Sequence, residues 1–132
     1  LEVHHIGYLV KNLEQSREAF GHLGFAVSRA KEYDPLRDVD IEFISNGGYT
    51  VELICPASAE SPLAPLLKKF KNAPYHLCFL SGNLEEEVAA LEKSGFMVFK
   101  EIEPAVCLEG RRVAFMVSPD IGIVEIADRE IP

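Results

Sequence analysis

Cysteine is scarce in this chain. Cys55, Cys78 and Cys107 are its three, far apart and without a Cys-x-x-Cys spacing. Such a set supports neither a disulfide framework nor a thiolate zinc site, so reduced, mostly buried thiols in a cytoplasmic protein are expected. Positive charge is short as well: 13 Lys and Arg against 21 Asp and Glu leave a net charge of -8. A nucleic-acid backbone needs a basic face, so no nucleic-acid partner is expected, and an anionic substrate must be met by local cations or a metal. No apolar run approaches the ~20 residues that cross a bilayer, and no membrane partner is expected. The first residues enter a strand-like pattern directly, without the signature of a signal peptide. A length of 132 residues with 48% apolar content suits one compact globular domain or two closely packed modules.

What the chain does contain is a repeat. Shifted by 71 residues, His5 lands on His76, and Asn12, Leu13, Glu14, Ala19, Gly24, Phe25 and Val27 land on Asn83, Leu84, Glu85, Ala90, Gly95, Phe96 and Val98. At a shift of 73, Val51-Glu52-Leu53 meets Val124-Glu125-Ile126. One supersecondary unit is therefore used twice, with one His and one Glu in each copy.

Val3–Val10 and Leu77–Leu80 read as opening strands. Asn12 with Gln15, and Asn83 with Glu86, have the spacing of a helix N-cap and its third residue. Leu13, Phe20 and Leu23 form one helical stripe, and Leu84, Val88 and Leu91 its counterpart. Gly24 and Gly95 are placed to end the helices in a left-handed turn. Strands are predicted at Phe25–Ser28, Val39–Ser45 and Tyr49–Ile54, then at Phe96–Lys100, Arg112–Val117 and Gly122–Ala127. Asn46-Gly47-Gly48 signals a tight turn. Arg29–Asp38 and Ile102–Gly110 read as loops, and Leu63–Phe70 as a short helix. The fold class is α+β, with a β-α-β-β-β module at 1–57, a linker at 58–74 and a second module at 75–132.

Strand alternation turns His5 and Gly7 away from the helix, opposite Ile6, Tyr8 and Val10. It does the same for His76 and Cys78, and for Glu52 and Glu125 between their apolar neighbours. A lone strand histidine is more often a hydrogen-bonded core residue, and a lone glutamate more often solvated. Placement at equivalent points of both copies instead selects His5, Glu52, His76 and Glu125 as ligands of one divalent ion, since an unpartnered buried carboxylate is costly. Nitrogen and oxygen donors of this type suit Zn, Co, Ni, Mn or Fe(II). His4 is out of phase with His76, and His22 has no partner in this scheme. Small modules expose sheet edges and apolar surface, so a homodimer is expected.

These residues, with the segments His5-Ile6-Gly7, Val51-Glu52-Leu53-Ile54-Cys55-Pro56, Glu60-Ser61-Pro62-Leu63, Tyr75-His76-Leu77, Arg112-Val113-Ala114-Phe115 and Val124-Glu125-Ile126, give the chain a recognisable pattern. It resembles the vicinal oxygen chelate superfamily (glyoxalase, bleomycin resistance and dioxygenase proteins) over nearly its whole length. Within that superfamily it is most similar to methylmalonyl-CoA epimerases and bacterial glyoxalase-I-like proteins. The resemblance implies one compact domain: a curved, mainly antiparallel half-barrel sheet around a cavity, with helices outside. It implies the same four metal positions, His5, Glu52, His76 and Glu125, and one Zn, Co, Ni or Mn ion as cofactor. Where epimerases carry a His-Pro-Lys stretch and paired glycines, this chain has Val117-Ser118-Pro119-Asp120-Ile121-Gly122.

The chemistry implied is abstraction of a proton next to the carbonyl of a small acyl thioester or oxo compound, through a metal-stabilised enolate. An epimerase-like activity is the leading expectation, and a glyoxalase I (lactoylglutathione lyase) activity the alternative. A further alternative is a non-catalytic protein that binds a small molecule such as an antibiotic. Glu125 is the first candidate base. Glu42 is the second, because Ile41 and Phe43 facing the helices would turn it toward the cavity. Arg111, Arg112, Lys68, Lys69 and Lys71 are candidates to meet a phosphate or carboxylate at the rim, and Cys78 shares the face of His76.

Overall fold

A computed structural model describes all residues, 1–132. The protein is mixed α+β, with strands β1 (Glu2–Leu9), β2 (Ala26–Asp34), β3 (Val39–Asn46), β4 (Tyr49–Pro56), β5 (Ala73–Ser81), β6 (Met97–Ala105), β7 (Arg111–Ser118) and β8 (Gly122–Asp128). Helix α1 (Leu13–His22) follows β1, α2 (Ala64–Phe70) follows β4, and α3 (Leu84–Lys93) follows β5. Two compact units emerge: His5–Tyr75, and His76–Pro132 together with Leu1–His4. No helix is long and apolar enough to cross a membrane.

In the first unit the strand order is β2-β3-β4-β1. β4 runs parallel to β1, and the other neighbours are antiparallel. In the second unit the order is β5-β8-β7-β6, again with one parallel pair, β5 with β8. Both helices that follow an opening strand start as the sequence predicts. Asn12 Oδ1 accepts from the Gln15 N–H at 2.9 Å, and Asn83 Oδ1 from the Glu86 N–H at 3.1 Å, satisfying amides that have no partner inside the helix. Gly24 (φ +95°) and Gly95 (φ +98°) then reverse the chain in the left-handed region.

Each unit has its own core. Leu13 of α1 packs with Val10, Ile44, Val51 and Leu53, joined by Tyr8, Phe20 and Phe25. Leu84 of α3 packs with Ala114, Met116, Val124 and Ile126, joined by Val88, Leu91 and Phe96. Leu23 departs from the predicted stripe. Helix α1 stops at His22, and Leu23, as the C-cap, is 70% exposed.

The two segments read as loops each begin as strand, since β2 runs on to Asp34 and β6 to Ala105. Their pairing is broken by register shifts between Val27/Arg29 and Arg29/Glu32, and between Val98/Lys100 and Lys100/Glu103. Such bulges scramble the two-residue alternation by which a strand is recognised in sequence. They recur at the 71-residue spacing of the repeat, so these irregularities belong to the unit itself.

Candidate metal centre

In the first unit, the parallel register sets Gly7 beside Glu52, and the antiparallel register sets Phe43 beside Glu52. Neighbours across a ladder share a face, and His5 shares that of Gly7 two residues on. His5, Glu52 and Phe43 therefore project together, opposite the face on which Val51 and Leu53 meet α1. His5 Nε2 lies 3.3 Å from Glu52 Oε1. The Phe43 ring meets the imidazole edge-on, with centroids 5.4 Å apart. His5 and Glu52 are both buried.

The second unit repeats this arrangement. Cys78 and Phe115 flank Glu125 on either side, and His76 shares the face of Cys78. His76 Nε2 lies 3.2 Å from Glu125 Oε1, and Phe115 stands edge-on to the imidazole at 5.6 Å. His76, Glu125 and Cys78 are buried. The two phenylalanines escape the sequence reading because they fall at a shift of 72, between the 71 that aligns the histidines and the 73 that aligns the glutamates. An alignment allowing a one-residue slip at each hairpin finds them.

Each pair fits an edge of a metal coordination shell. Ligand atoms about 2.1 Å from one cation lie about 3.0 Å apart at adjacent corners of an octahedron, and about 3.4 Å apart in a tetrahedron. The measured separations of 3.3 and 3.2 Å fall between these. Imidazole nitrogen with carboxylate oxygen is also the donor chemistry that Zn, Co, Ni and Mn accept. Burying a carboxylate without a cation or a full set of donors is costly.

Glu42 is not on this face. Its register partner is Leu53, which packs against α1, whereas Phe43 is the residue beside Glu52. The side chain of Glu42 accepts from Arg17 Nε of α1 at 2.5 Å and is buried there. The expectation that Ile41 and Phe43 face the helix is reversed, and Glu42 is thereby withdrawn as a base. In the second unit the same positions are held by Val88 and Ala114, both in the apolar core. The Arg17–Glu42 pair is thus an ionic substitute for a core contact.

The candidate rim cations divide. Arg112 faces α3, where it pairs with Glu85 and also bonds Asp128 of β8, so it is occupied in holding helix to sheet. Lys68 and Lys71, with Lys11 and Asn72, line a cavity of about 520 Å³ beside α2. Arg111 lies on the opposite face of β7 from Arg112 and is buried. None of the three cysteines forms a disulfide, and burial pushes the Cys55 thiol up from its ordinary value.

Comparison with known proteins agrees with this architecture. The family model described as Glyoxalase/Bleomycin resistance protein/Dioxygenase superfamily matches residues 4–115. The mitochondrial methylmalonyl-CoA epimerase of Bos taurus is 28% identical over 122 residues, covering 91% of this chain and 69% of that protein. A hypothetical protein from Bacillus halodurans C-125 superposes with a TM-score of 0.86 at 25% identity, over 98% of this chain and 94% of the other. Methylmalonyl-CoA epimerase from Mycobacterium tuberculosis shares the fold with a TM-score of 0.82 at 18% identity, over 98% of this chain and 88% of that one. With its β-α-β-β-β unit built twice, the chain belongs to the Glyoxalase/Bleomycin resistance protein/Dioxygenase superfamily.

Proposed function

We propose that this protein is a divalent-metal-dependent isomerase, methylmalonyl-CoA epimerase-like, that removes a proton next to the carbonyl of a thioester or ketone. The observation that carries the reading is the buried His–Glu pair, edged by a phenylalanine, that stands at matching strand positions in both units. Similarity to methylmalonyl-CoA epimerases in sequence and in fold supports the reaction class.

His5, Glu52, His76 and Glu125 would together hold one Zn, Co, Ni or Mn ion per chain. Such an ion, when bound, supplies a Lewis acid that stabilises negative charge developing on the substrate's carbonyl oxygen. The remaining work falls to side chains. Glu125 takes the proton from the carbon next to the carbonyl, and a second acid on the opposite face must give up its own proton there to invert that centre. Burial of Glu125 and His76 and the hydrocarbon of Phe115 beside them keep water from quenching the carbanion. The sheet-edge strands β2 and β6 carry exposed Val27, Tyr33, Met97 and Phe99, apolar surface that a homodimer would cover.

The test begins with metal content after purification without chelator. About one ion per chain, lost in His76→Ala, is expected from a four-ligand site. Exchange of the substrate's α-proton with solvent deuterium is then followed in methylmalonyl-CoA, and in parallel in the glutathione adduct of methylglyoxal, which separates an epimerase from a glyoxalase. Glu125→Gln should abolish exchange while retaining the fold. Protein that neither contains nor takes up a metal sinks this reading and favours a ligand-binding role.

A further inference from the structure

Two adjacent arginines at the start of β7 are partnered in the reverse of the order that stability alone would select. Arg112 is half-exposed, yet its guanidinium bonds both carboxylate oxygens of Glu85 and both of Asp128. Arg111 is only 9% exposed, yet its Nε has no hydrogen-bond partner and its Nη1 reaches one carboxylate, that of the half-exposed Glu109, at 3.3 Å. Buried charged groups are ordinarily the ones with a full complement of partners.

The local backbone enforces this placement. A short 3-10 turn, Val106–Leu108, buries Cys107 and Leu108. It is followed by two residues in succession with left-handed backbone, Glu109 (φ +62°) and Gly110 (φ +77°). Glu109 holds that conformation without being glycine, which is the kind of strain that persists where surrounding structure requires it. The Gly110 N–H closes the loop on the Ala105 carbonyl at 3.0 Å. Beyond it, alternation along β7 sends Arg112, Ala114 and Met116 to the α3 side. Arg111, Val113 and Phe115 go to the face that bears His76 and Glu125.

We propose that Arg111 binds an anionic group, a phosphate or carboxylate, in the tail of the substrate. The inference rests on the site named under the proposed function and adds the class of molecule it accepts. A guanidinium fork matches two oxygens of either anion, and such a ligand would add acceptors to a guanidinium that has one carboxylate, that of Glu109, as its ion-pair partner. Arg111 precedes Phe115 by four residues, about 13 Å along an extended strand, and Phe115 stands directly beside Glu125. The anion therefore sits at the end of the substrate remote from its reacting carbon. In a chain of net charge -8, this provides the local cation that an anionic substrate needs.

Coenzyme A offers phosphates and glutathione offers carboxylates, so each serves as a probe. Calorimetric titration of both into the metal-loaded protein, Arg111→Gln, Arg111→Lys and Arg112→Gln is the test. One probe should bind the native protein, bind Arg111→Gln at least about tenfold more weakly, in line with loss of charge-assisted hydrogen bonds, and bind Arg112→Gln, which removes the same charge from the α3 side, unchanged. Arg111→Lys, which keeps the charge but not the fork, should fall between. Arg111→Met should melt at a higher temperature than the native protein, because an under-partnered buried charge is removed. Equal affinity in Arg111→Gln overturns the proposal, as does binding of neither probe at millimolar concentration, or a lower melting temperature in Arg111→Met with affinity unchanged. Probe binding that depends on Arg111 in a protein without turnover would leave the anion site standing and remove the epimerase reading. Turnover that ignores Arg111 would do the reverse.

Discussion

Replacing Arg17 and Glu42 by the residues at the equivalent positions of the second unit tests whether their ion pair acts in packing or in chemistry. Glu42 is 4% exposed, and its carboxylate is bound by Arg17, whose side chain is 36% exposed. Arg17→Val leaves a buried carboxylate without its donor. Loss of one partner from a buried pair costs roughly 3–5 kcal/mol, and the partial exposure of Arg17 admits water, so about 2–3 kcal/mol is expected. Glu42→Ala frees Arg17 to extend into solvent and should cost only about 1 kcal/mol. Combining them restores the Val88 and Ala114 arrangement of the second core. Apolar replacement of a whole buried pair is often neutral, so the double variant should lie within about 1 kcal/mol of the native protein.

The chain has no tryptophan, so denaturant unfolding followed by far-ultraviolet circular dichroism is the suitable assay. A double-mutant cycle then isolates the pair. Additive losses in the double variant, or no loss in Arg17→Val, would refute the packing argument. Deuterium exchange measured on the double variant should be native-like, because Glu42 lies on the α1 side and not beside Glu52. Loss of exchange with stability intact would restore Glu42 as a base.

Two further outcomes follow from local geometry. Arg112 holds the Glu85 carboxyl below its ordinary value, and a carboxylate depressed in the folded state stabilises the fold above its unfolded pKa and loses that effect as pH falls through the folded one. The stability gap between the native protein and Glu85→Gln should therefore be flat above about pH 5 and shrink in acid, and a gap independent of pH in melts from pH 3 to 7 would contradict this. Gly24→Ala and Gly95→Ala both force a side chain into the left-handed region, at a cost of about 1–2 kcal/mol each. Gly24→Ala should cost more, because its new Cβ lies 3.0 Å from the Asn46 side-chain amide, which donates to the Leu23 carbonyl, whereas Gly95 faces open space; equal losses in unfolding experiments would mean that Asn46 gives way freely.

The features legible in the sequence alone are those set by local rules. The repeat, both asparagine caps, both glycine helix ends and the shared face of His and Glu in each unit follow from spacing, because caps act over three residues and strand alternation over two. What only the tertiary structure decided is where those rules give no answer. β3 buries Ile41, Glu42, Phe43 and Ile44 in succession, so neither face is marked by polarity, and Glu42 was assignable only through its register with β4. The strands β2 and β6 were hidden because their bulges break the alternation that identifies a strand. Arg111 and Arg112 are the same residue type one position apart, and which of them turns to the α3 side depends on the Glu109–Gly110 turn that precedes β7. Burial is a property of what packs against a chain, and for these residues nothing in the neighbouring sequence encodes it.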